Sequence, residues 1–444
     1  MGKIKETIII NGILPVADIV FKTNISRWYK RIHKMFSMSP DKVKTWQTER
    51  MHELIHVAYE HSIYYRELFD QCGLKPNDIQ TLDDLRKIPP LTKEIIRERM
   101  DDIKLSNLED YRSKVCSTGG STGNPTKYIK DNLSWGFDNA FNILMWKQTG
   151  YHYGDRFLAL GSSSLFPTNK RSRLHEWYYR LKGKIPFNAM NLSEEKLEEC
   201  VRLLQKKRIH YIYGYASSIF LLAKYVKEHN LGEVINIRAC FTTSEILTDL
   251  YRTTIMDAFG CVVDDAYGAH DGGIVAHNMG DGFKVGYNCI VETPNARKEL
   301  DGTGTALLTD VLSFSFPFIR YQLGDELAIG EGYNDFYNGQ VLTKVVGRTS
   351  DVIEMENGRV LTGPGFTILF SKLNITGYRM YKSAPMEITV EVVKDDCYTS
   401  ADDQLIVETI KKHAGMDCEV VILYADFVKQ RENGKNMYFL NTKE

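Results

Sequence analysis

Cys116-Ser-Thr-Gly-Gly-Ser-Thr-Gly-Asn-Pro-Thr-Lys-Tyr128 is a run of small, hydroxylated and flexible residues that closes on a proline and a lysine. Gly119, Gly120 and Gly123 let backbone N–H groups approach an anion without Cβ interference. Ser117, Thr118, Ser121, Thr122 and Thr126 add hydroxyl donors, and Lys127 adds a positive charge. Such a run can wrap a polyphosphate. It is not a Walker loop, because Asn124 stands five residues after Gly119 and no Gly-Lys-Ser/Thr follows. Nor does it read Gly-x-Gly-x-x-Gly. A Gly/Ser/Thr cluster is also what an ordinary turn looks like, so its meaning rests on its neighbours.

Downstream, Phe157–Gly161, His210–Tyr213, Arg238–Thr242 and Cys261–Asp265 are short apolar runs that read as strands. Between them, Ser217–Glu228 has helical spacing and stops at Asn230-Leu-Gly232, and Leu247–Phe259 stops at Gly260. Alternating strand and helix predicts an α/β fold with a mainly parallel, doubly wound sheet and ligands at the carboxyl ends of its strands. Upstream, residues 44–104 carry Met51, Leu54, Ile55 and Ala58 at spacings of three and four, a helical lead-in. Thr81-Leu-Asp-Asp84 offers a capped helix start, and Thr92 opens another helix after Pro89-Pro90. Thr305–Thr309 and Phe316–Tyr321 predict a β subdomain. From Gly347 a strand at Met386–Val393, a helix at Ala401–Ala414 and a strand at Cys418–Tyr424 form a small α+β unit. The expected division is therefore 1–346, with 1–110 as lead-in, and 347–444, hinged near 347–351.

Composition narrows the function classes. The 444 residues carry 56 Lys+Arg against 57 Asp+Glu, a balance that argues against nucleic acid as a partner. Eight cysteines are scattered without a Cys-x-x-Cys pair, which fits reduced thiols rather than a disulfide framework or zinc knuckle. His277 and Cys289 could share a metal, although they fall short of the four ligands of a structural zinc site. Ile8–Phe21 is apolar but interrupted by Asn11, Gly12, Pro15 and Asp18, too broken to cross a bilayer. A cytoplasmic protein with no transmembrane segment is expected.

Four stretches carry candidate chemistry. Tyr267-Gly268-Ala-His-Asp271 follows the strand at 261–265, which would set Asp271 where a metal-holding acid sits. Arg320-Tyr-Gln-Leu-Gly-Asp325 is read as ending another strand, Gly347-Arg348-Thr-Ser-Asp351 lies at the domain boundary, and Gly434-Lys435 stands near the end of the chain. Each alone reads equally as a turn or a solvated loop.

Together, and in this order, they resemble the adenylate-forming enzymes of the phenylacetate-CoA ligase-like family, most of all the members associated with capsular polysaccharide biosynthesis. Gly119-Gly-Ser-Thr-Gly-Asn-Pro-Thr126 is similar to that superfamily's Ser-Gly-Thr-Thr-Gly-x-Pro-Thr. Tyr267 to Asp271 resembles Tyr-Gly-x-x-Glu, Arg320 to Asp325 resembles Arg-Tyr-Arg-Thr-Gly-Asp, and Gly347 to Asp351 resembles Gly-Arg-x-Asp-Asp. Tyr64-Tyr65-Arg66 and Pro90-Leu-Thr-Lys93 resemble the family's opening helices. Gly214-Tyr-Ala-Ser217 and Ser244-Glu245 resemble the middle of its sheet.

The resemblance implies a ligase that activates a carboxylic acid with ATP and Mg²⁺ as an acyl-adenylate, then passes the acyl group to coenzyme A or an amine. It implies phosphate contacts from Gly119, Gly120, Ser121, Thr122, Gly123, Thr126 and Lys127. Ser244, Glu245, Asp265, Tyr267 and Gly268 would border the nucleotide, with Tyr267 stacked on adenine. Asp325 would accept the ribose hydroxyls, Asp271 would hold magnesium, Arg348 would contact ribose and phosphate, and Lys435 would serve the adenylation step. Three positions depart from the pattern: Asp271 replaces Glu, Ser350 replaces the hinge Asp or Lys, and Gly119 replaces Ser. Two alternatives stay open, namely nucleotidyl transfer to a hydroxyl and a non-catalytic nucleotide-binding protein. Phe137, Phe141, Trp146 and Phe166 are candidates for an acyl pocket or for core.

Overall fold

The computed structural model of the chain describes residues 2–117, 127–161, 177, 179–189, 192–269, 273–296, 302–330, 337–346, 352–362, 366, 369–370, 373–426 and 439–440. Two compact units emerge: Met1–Ser117 with Thr126–Tyr153 and Ala266–Gly347, and Thr118–Pro125 with Gly154–Asp265 and Arg348–Glu444.

The first unit begins with helices α1 (Gly2–Ile8) and α2 (Leu14–Val20), joined by a π-helical segment at Ile9–Ile13. Next come α3 (Ile25–Met35), α4 (Pro40–His61), α5 (Ile63–Gln71) and α6 (Lys93–Ile103). Met51, Leu54, Ile55 and Ala58 are all buried on one stripe of α4, and Thr92 Oγ1 accepts the Ile95 N–H at 3.3 Å to cap α6. Thr81 and Asp84 form the expected capping box, although they start a 3₁₀ turn, Leu82–Lys87, rather than an α-helix. Strands β1 (Lys114–Ser117) and β2 (Lys127–Lys130) pair antiparallel, and α7 (Asn132–Lys147) follows.

In the second unit, β3 (Phe157–Gly161), β4 (Lys184–Asn188), β5 (Tyr211–Tyr215) and β6 (Ala239–Thr243) run parallel in the order β4-β3-β5-β6. Helices α8 (Glu194–Lys207), α9 (Ala216–Glu228) and α10 (Asp249–Phe259) lie between them in sequence. One apolar core joins these strands and helices, through residues such as Leu158, Ile212, Leu222, Cys240 and Ile255. Gly260, at φ 60°, ends α10 as expected; α9 ends instead with Asn230 in the left-handed region, at φ 54°. Asparagine tolerates that conformation better than most residues.

β7 (Val262–Ala269) belongs to the second unit as far as Asp265 and to the first from Ala266. The strand is longer than its apolar pattern predicts, so Tyr267 and Gly268 lie within it rather than after it. From there the first unit continues with β8 (Gly273–Asn278), β9 (Phe283–Val285), β10 (Cys289–Glu292), β11 (Thr303–Asp310), β12 (Tyr321–Ile329) and β13 (Val341–Val346). Their order is β10-β11-β12-β13-β9-β8-β7. Here one expectation is corrected: Phe316–Tyr321 is not a strand, because β12 starts only at Tyr321. Pro317 has no N–H to donate to a sheet, and Arg320 sits at φ 52°, off the extended region. The run looked like a strand because Phe316 and Phe318 are core residues.

The rest of the second unit contains β14 (Val352–Glu354), β15 (Val360–Thr362), β16 (Ile375–Ala384), β17 (Glu387–Lys394), α11 (Ser400–Ala414), β18 (Glu419–Tyr424) and β19 (Phe439–Leu440). Four of these strands make a sheet in the order β18-β17-β16-β19. Its own core includes Met380, Val390, Ile406 and Ile410.

Candidate functional site

The first unit carries two of the motifs. Ser117 and Lys127 stand opposite each other in the β1–β2 ladder, with Lys127 exposed. Gly119, Gly120, Ser121, Thr122, Gly123 and Thr126 lie outside the described residues. On the strands, the Tyr267 hydroxyl donates to Asp325 Oδ2 at 2.9 Å. That joins two motifs fifty-eight residues apart and turns the Asp325 carboxylate to a fixed side of β12. Among the described residues Asp325 Oδ1 has no protein partner. Gly324, at φ 82°, lies where β12 bulges against β11, just before Asp325, and a Cβ there would stand 3.7 Å from Lys93 Nζ. The lysine of the lead-in motif is thus brought beside the Asp325 strand, a placement that its own short sequence pattern did not reveal.

Arg320 is the residue whose role the sequence hid. Its Nε donates to Glu292 Oε2 at 3.0 Å, and its guanidinium donates to the carbonyls of Ile88, at 2.6 Å, and Arg86, at 3.3 Å. Its own carbonyl accepts the Leu91 N–H at 3.1 Å, and the Gln322 N–H donates to the Leu91 carbonyl at 2.9 Å. The buried guanidinium therefore locks the lead-in, from Arg86 to Leu91, against the start of β12. Of the six non-glycine residues with positive φ among the described residues, Lys22, Arg112, Arg208 and Asn230 lie at helix ends, while Arg320 and Ser244 lie next to strands, within motifs. Backbone strain away from helix ends is a mark of functional sites.

Ser244, at φ 69°, belongs to the second unit, where β6 gives way to the turn holding Glu245. Glu245 Oε2 accepts the Ser217 N–H at 2.8 Å, at the N-terminus of α9. Its Oε1, though the residue as a whole is half-buried, is sealed from water and has no partner among the described residues. Burial raises the Glu245 carboxyl from an ordinary 4.5 to about 7, against the opposing pull of the Ser217 N–H and hydroxyl. Ser218 Oγ is buried without a partner among the described residues. The N-terminal end of α9 thus presents N–H dipoles, a hydroxyl with unused capacity and a carboxyl poised near neutrality. In the same unit, Asp265 Oδ1 accepts the Thr242 hydroxyl at 2.7 Å.

Asp271, Arg348 and Lys435 lie outside the described residues, as does Phe166. Phe137, Phe141 and Trp146 are core residues of α7: Phe137 packs edge-on against Trp28 with centroids 5.1 Å apart, and Phe141 contacts the His277 and Tyr287 rings. No group of three or more metal-ligating side chains is found among the described residues.

No family model matches the chain. Among curated proteins, Protein CapK of Staphylococcus aureus is 22% identical over 319 residues, covering 71% of this chain and 70% of that protein. Phenylacetate-coenzyme A ligase of Pseudomonas putida is 29% identical over 339 residues, covering 72% and 73%. Among solved structures, 2-hydroxyisobutyryl-CoA ligase in complex with 2-HIB-AMP and CoA superposes with a TM-score of 0.59 at 18% identity, covering 92% of this chain and 91% of that one. The last similarity establishes the fold: the α/β architecture of that ligase, with a large sheet and a small C-terminal sheet.

Proposed function

We propose that this chain, which belongs to the phenylacetate-CoA ligase-like family, activates a carboxylic acid as an acyl-adenylate and passes the acyl group to coenzyme A or an amine. In the first step a carboxylate oxygen attacks the α-phosphorus of ATP and pyrophosphate leaves. In the second, the acceptor attacks the acyl carbon and AMP leaves. The observation that carries the reading is the Tyr267–Asp325 hydrogen bond, because it joins two motif residues assigned to the same nucleoside.

The residues fit a nucleotide. Asp325 keeps one carboxylate oxygen for a ribose hydroxyl while Tyr267 steadies the other. Ser218 offers a buried hydroxyl without a protein partner among the described residues, the kind of orphan that a bound polar ligand satisfies. Lys127 and the loop from Gly119 to Thr126 are assigned to phosphate, and Arg348 to ribose and phosphate. Asp271 is the assigned holder of magnesium, whose chemistry there would be to offset phosphate charge. Lys435 brings an ammonium to the carboxylate during adenylation. Residues 347–444 form the mobile C-terminal domain that carries it, turning near 347–351 between the two steps. The motif resemblance supports a setting in polysaccharide biosynthesis, and the need for ATP supports a cytoplasmic one.

Calorimetric titration of the full chain with MgATP tests this. Binding by the wild type, weakened by about tenfold or more in Asp325→Ala through loss of a charge-assisted contact, is the expected outcome. No binding, or equal binding by the variant, overturns it.

A further inference from the structure

Helices α1 and α2 and the π segment between them continue without a break from Gly2 to Val20. Glu6, Ile9, Ile10, Leu14, Ala17 and Asp18 are buried. Ile4, Ile8, Val16, Ile19 and Val20 are not: each is between 49% and 79% exposed. Residues 4, 8, 12, 16 and 20 are spaced by four, and in a pure α-helix such a row drifts around the axis by about 40° per step. The wider turn of the π segment, whose N–H groups reach back five residues, cancels much of that drift. It keeps Ile4 and Ile8 on the same side as Val16, Ile19 and Val20. The result is one apolar stripe along the helix, opposite the face that packs on the core.

Charge is sorted in the same way. The first thirty-four residues hold seven Lys and Arg and only two acids, Glu6 and Asp18. Both acids are turned inward. Glu6 accepts from Lys147 Nζ at 3.0 Å, with His152 Nδ1 at 3.0 Å and the Tyr29 hydroxyl at 3.3 Å. Asp18 accepts the Ile25 and Ser26 N–H groups at 3.1 and 2.7 Å and the Thr23 hydroxyl at 2.6 Å, tying α2 to the start of α3. What remains outside is Lys5 beside the stripe, Lys22 just past its end, and Arg27, Lys30 and Lys34 on the exposed side of α3, while Arg31 lies over the Trp28 and Trp46 rings. A second copy of this chain is a poor occupant, since a two-fold pairing would bring these cations against each other.

From this arrangement we infer that the exposed side of α1–α2 and α3 is a peripheral docking surface for an anionic lipid bilayer. The aliphatic stripe enters the headgroup–acyl boundary, and the surrounding lysines and Arg27 face the lipid phosphates. No helix among the described residues is long and apolar enough to cross a membrane, so the segment lies along the surface. The chain would then act on substrates next to a membrane.

The test is co-sedimentation of the full chain with phosphatidylcholine vesicles, with and without about 30% phosphatidylglycerol. Binding to the anionic vesicles only, falling with added salt, is expected. Ile8→Asp/Ile19→Asp should weaken it by about tenfold or more, and so should Lys22→Glu/Lys30→Glu, since each changes only exposed positions. Unchanged circular dichroism would establish that the variants fold. Failure to bind anionic vesicles at low salt, equal binding to neutral ones, or binding unaffected by either variant overturns the proposal. Self-association abolished by Ile8→Asp/Ile19→Asp, without vesicle binding, also overturns it and gives the face to a second copy.

Discussion

Replacing Glu245 by glutamine should remove a pH-dependent weakness built into the end of α9. The Glu245 carboxyl is raised from 4.5 to about 7 by burial, only partly offset by the Ser217 N–H and hydroxyl. Its protonated form is therefore favoured in the fold, and the native state binds more protons than the unfolded one between those two values. Its contribution is fully present below 4.5 and is lost as pH rises through about 7. Worked from these values, ionisation costs the fold about 1 kcal/mol at pH 5 and about 3 kcal/mol at pH 8. Asp138, pushed up to about 6 by burial, and Asp131, also raised by burial, tilt the whole protein the same way. The diagnostic quantity is thus the difference between variant and wild type. Urea denaturation of the ligand-free protein should show Glu245→Gln gaining about 2 kcal/mol on the wild type between pH 5 and pH 8. Parallel stability curves would refute the assignment of a strained, near-neutral carboxyl at this helix end.

Arg320→Met should destabilise the first unit by about 3 kcal/mol, by leaving Glu292 and the carbonyls of Ile88 and Arg86 without their donor; an unchanged urea midpoint would contradict the locking role. Lys130→Met leaves Asp138 buried without its ion-pair partner, at a cost of about 3–5 kcal/mol, whereas the double variant with Asp138→Leu should recover most of that loss in the same melts. Lys435→Ala should slow acid-dependent pyrophosphate release by about a hundredfold to a thousandfold. In that variant, transfer from a chemically supplied acyl-adenylate should stay within a few fold of wild type; equal loss of both steps would indicate a folding role instead.

Much of the architecture was legible because hydrophobic period and punctuation are local. Strands β3, β5 and β6 fall on their apolar runs with a shift of a residue at most, except that β5 continues through Gly214 to Tyr215. Thr92, Gly260 and the Thr81–Asp84 box end or begin elements as their side chains predict. What stayed hidden depends on contacts across the sequence. Nothing in the pattern around Glu245 says that its carboxylate meets Ser217, twenty-eight residues away. Nor does any pattern announce that Lys130 meets Asp138 while Ser134 donates to Asp310 at 2.8 Å, a buried charged cluster inside the first unit. The strand expected at Phe316–Tyr321 failed for a related reason: apolar period reports burial, and a bend can be as buried as a strand. The Arg320-to-Asp325 motif was found, but its two ends do different work. Arg320 locks the backbone, and Asp325 faces Tyr267.

The central claim, acid activation through an acyl-adenylate, is tested most directly by pyrophosphate release from MgATP across a panel of aryl, fatty and amino acids, with mass spectrometry of the bound product. At least one class of acid should trigger release without any acceptor and leave acyl-AMP on the protein, discharged by coenzyme A or an amine. ATP binding with no acid-dependent pyrophosphate release in any class, or AMP recovered on a hydroxyl acceptor instead, would contradict it.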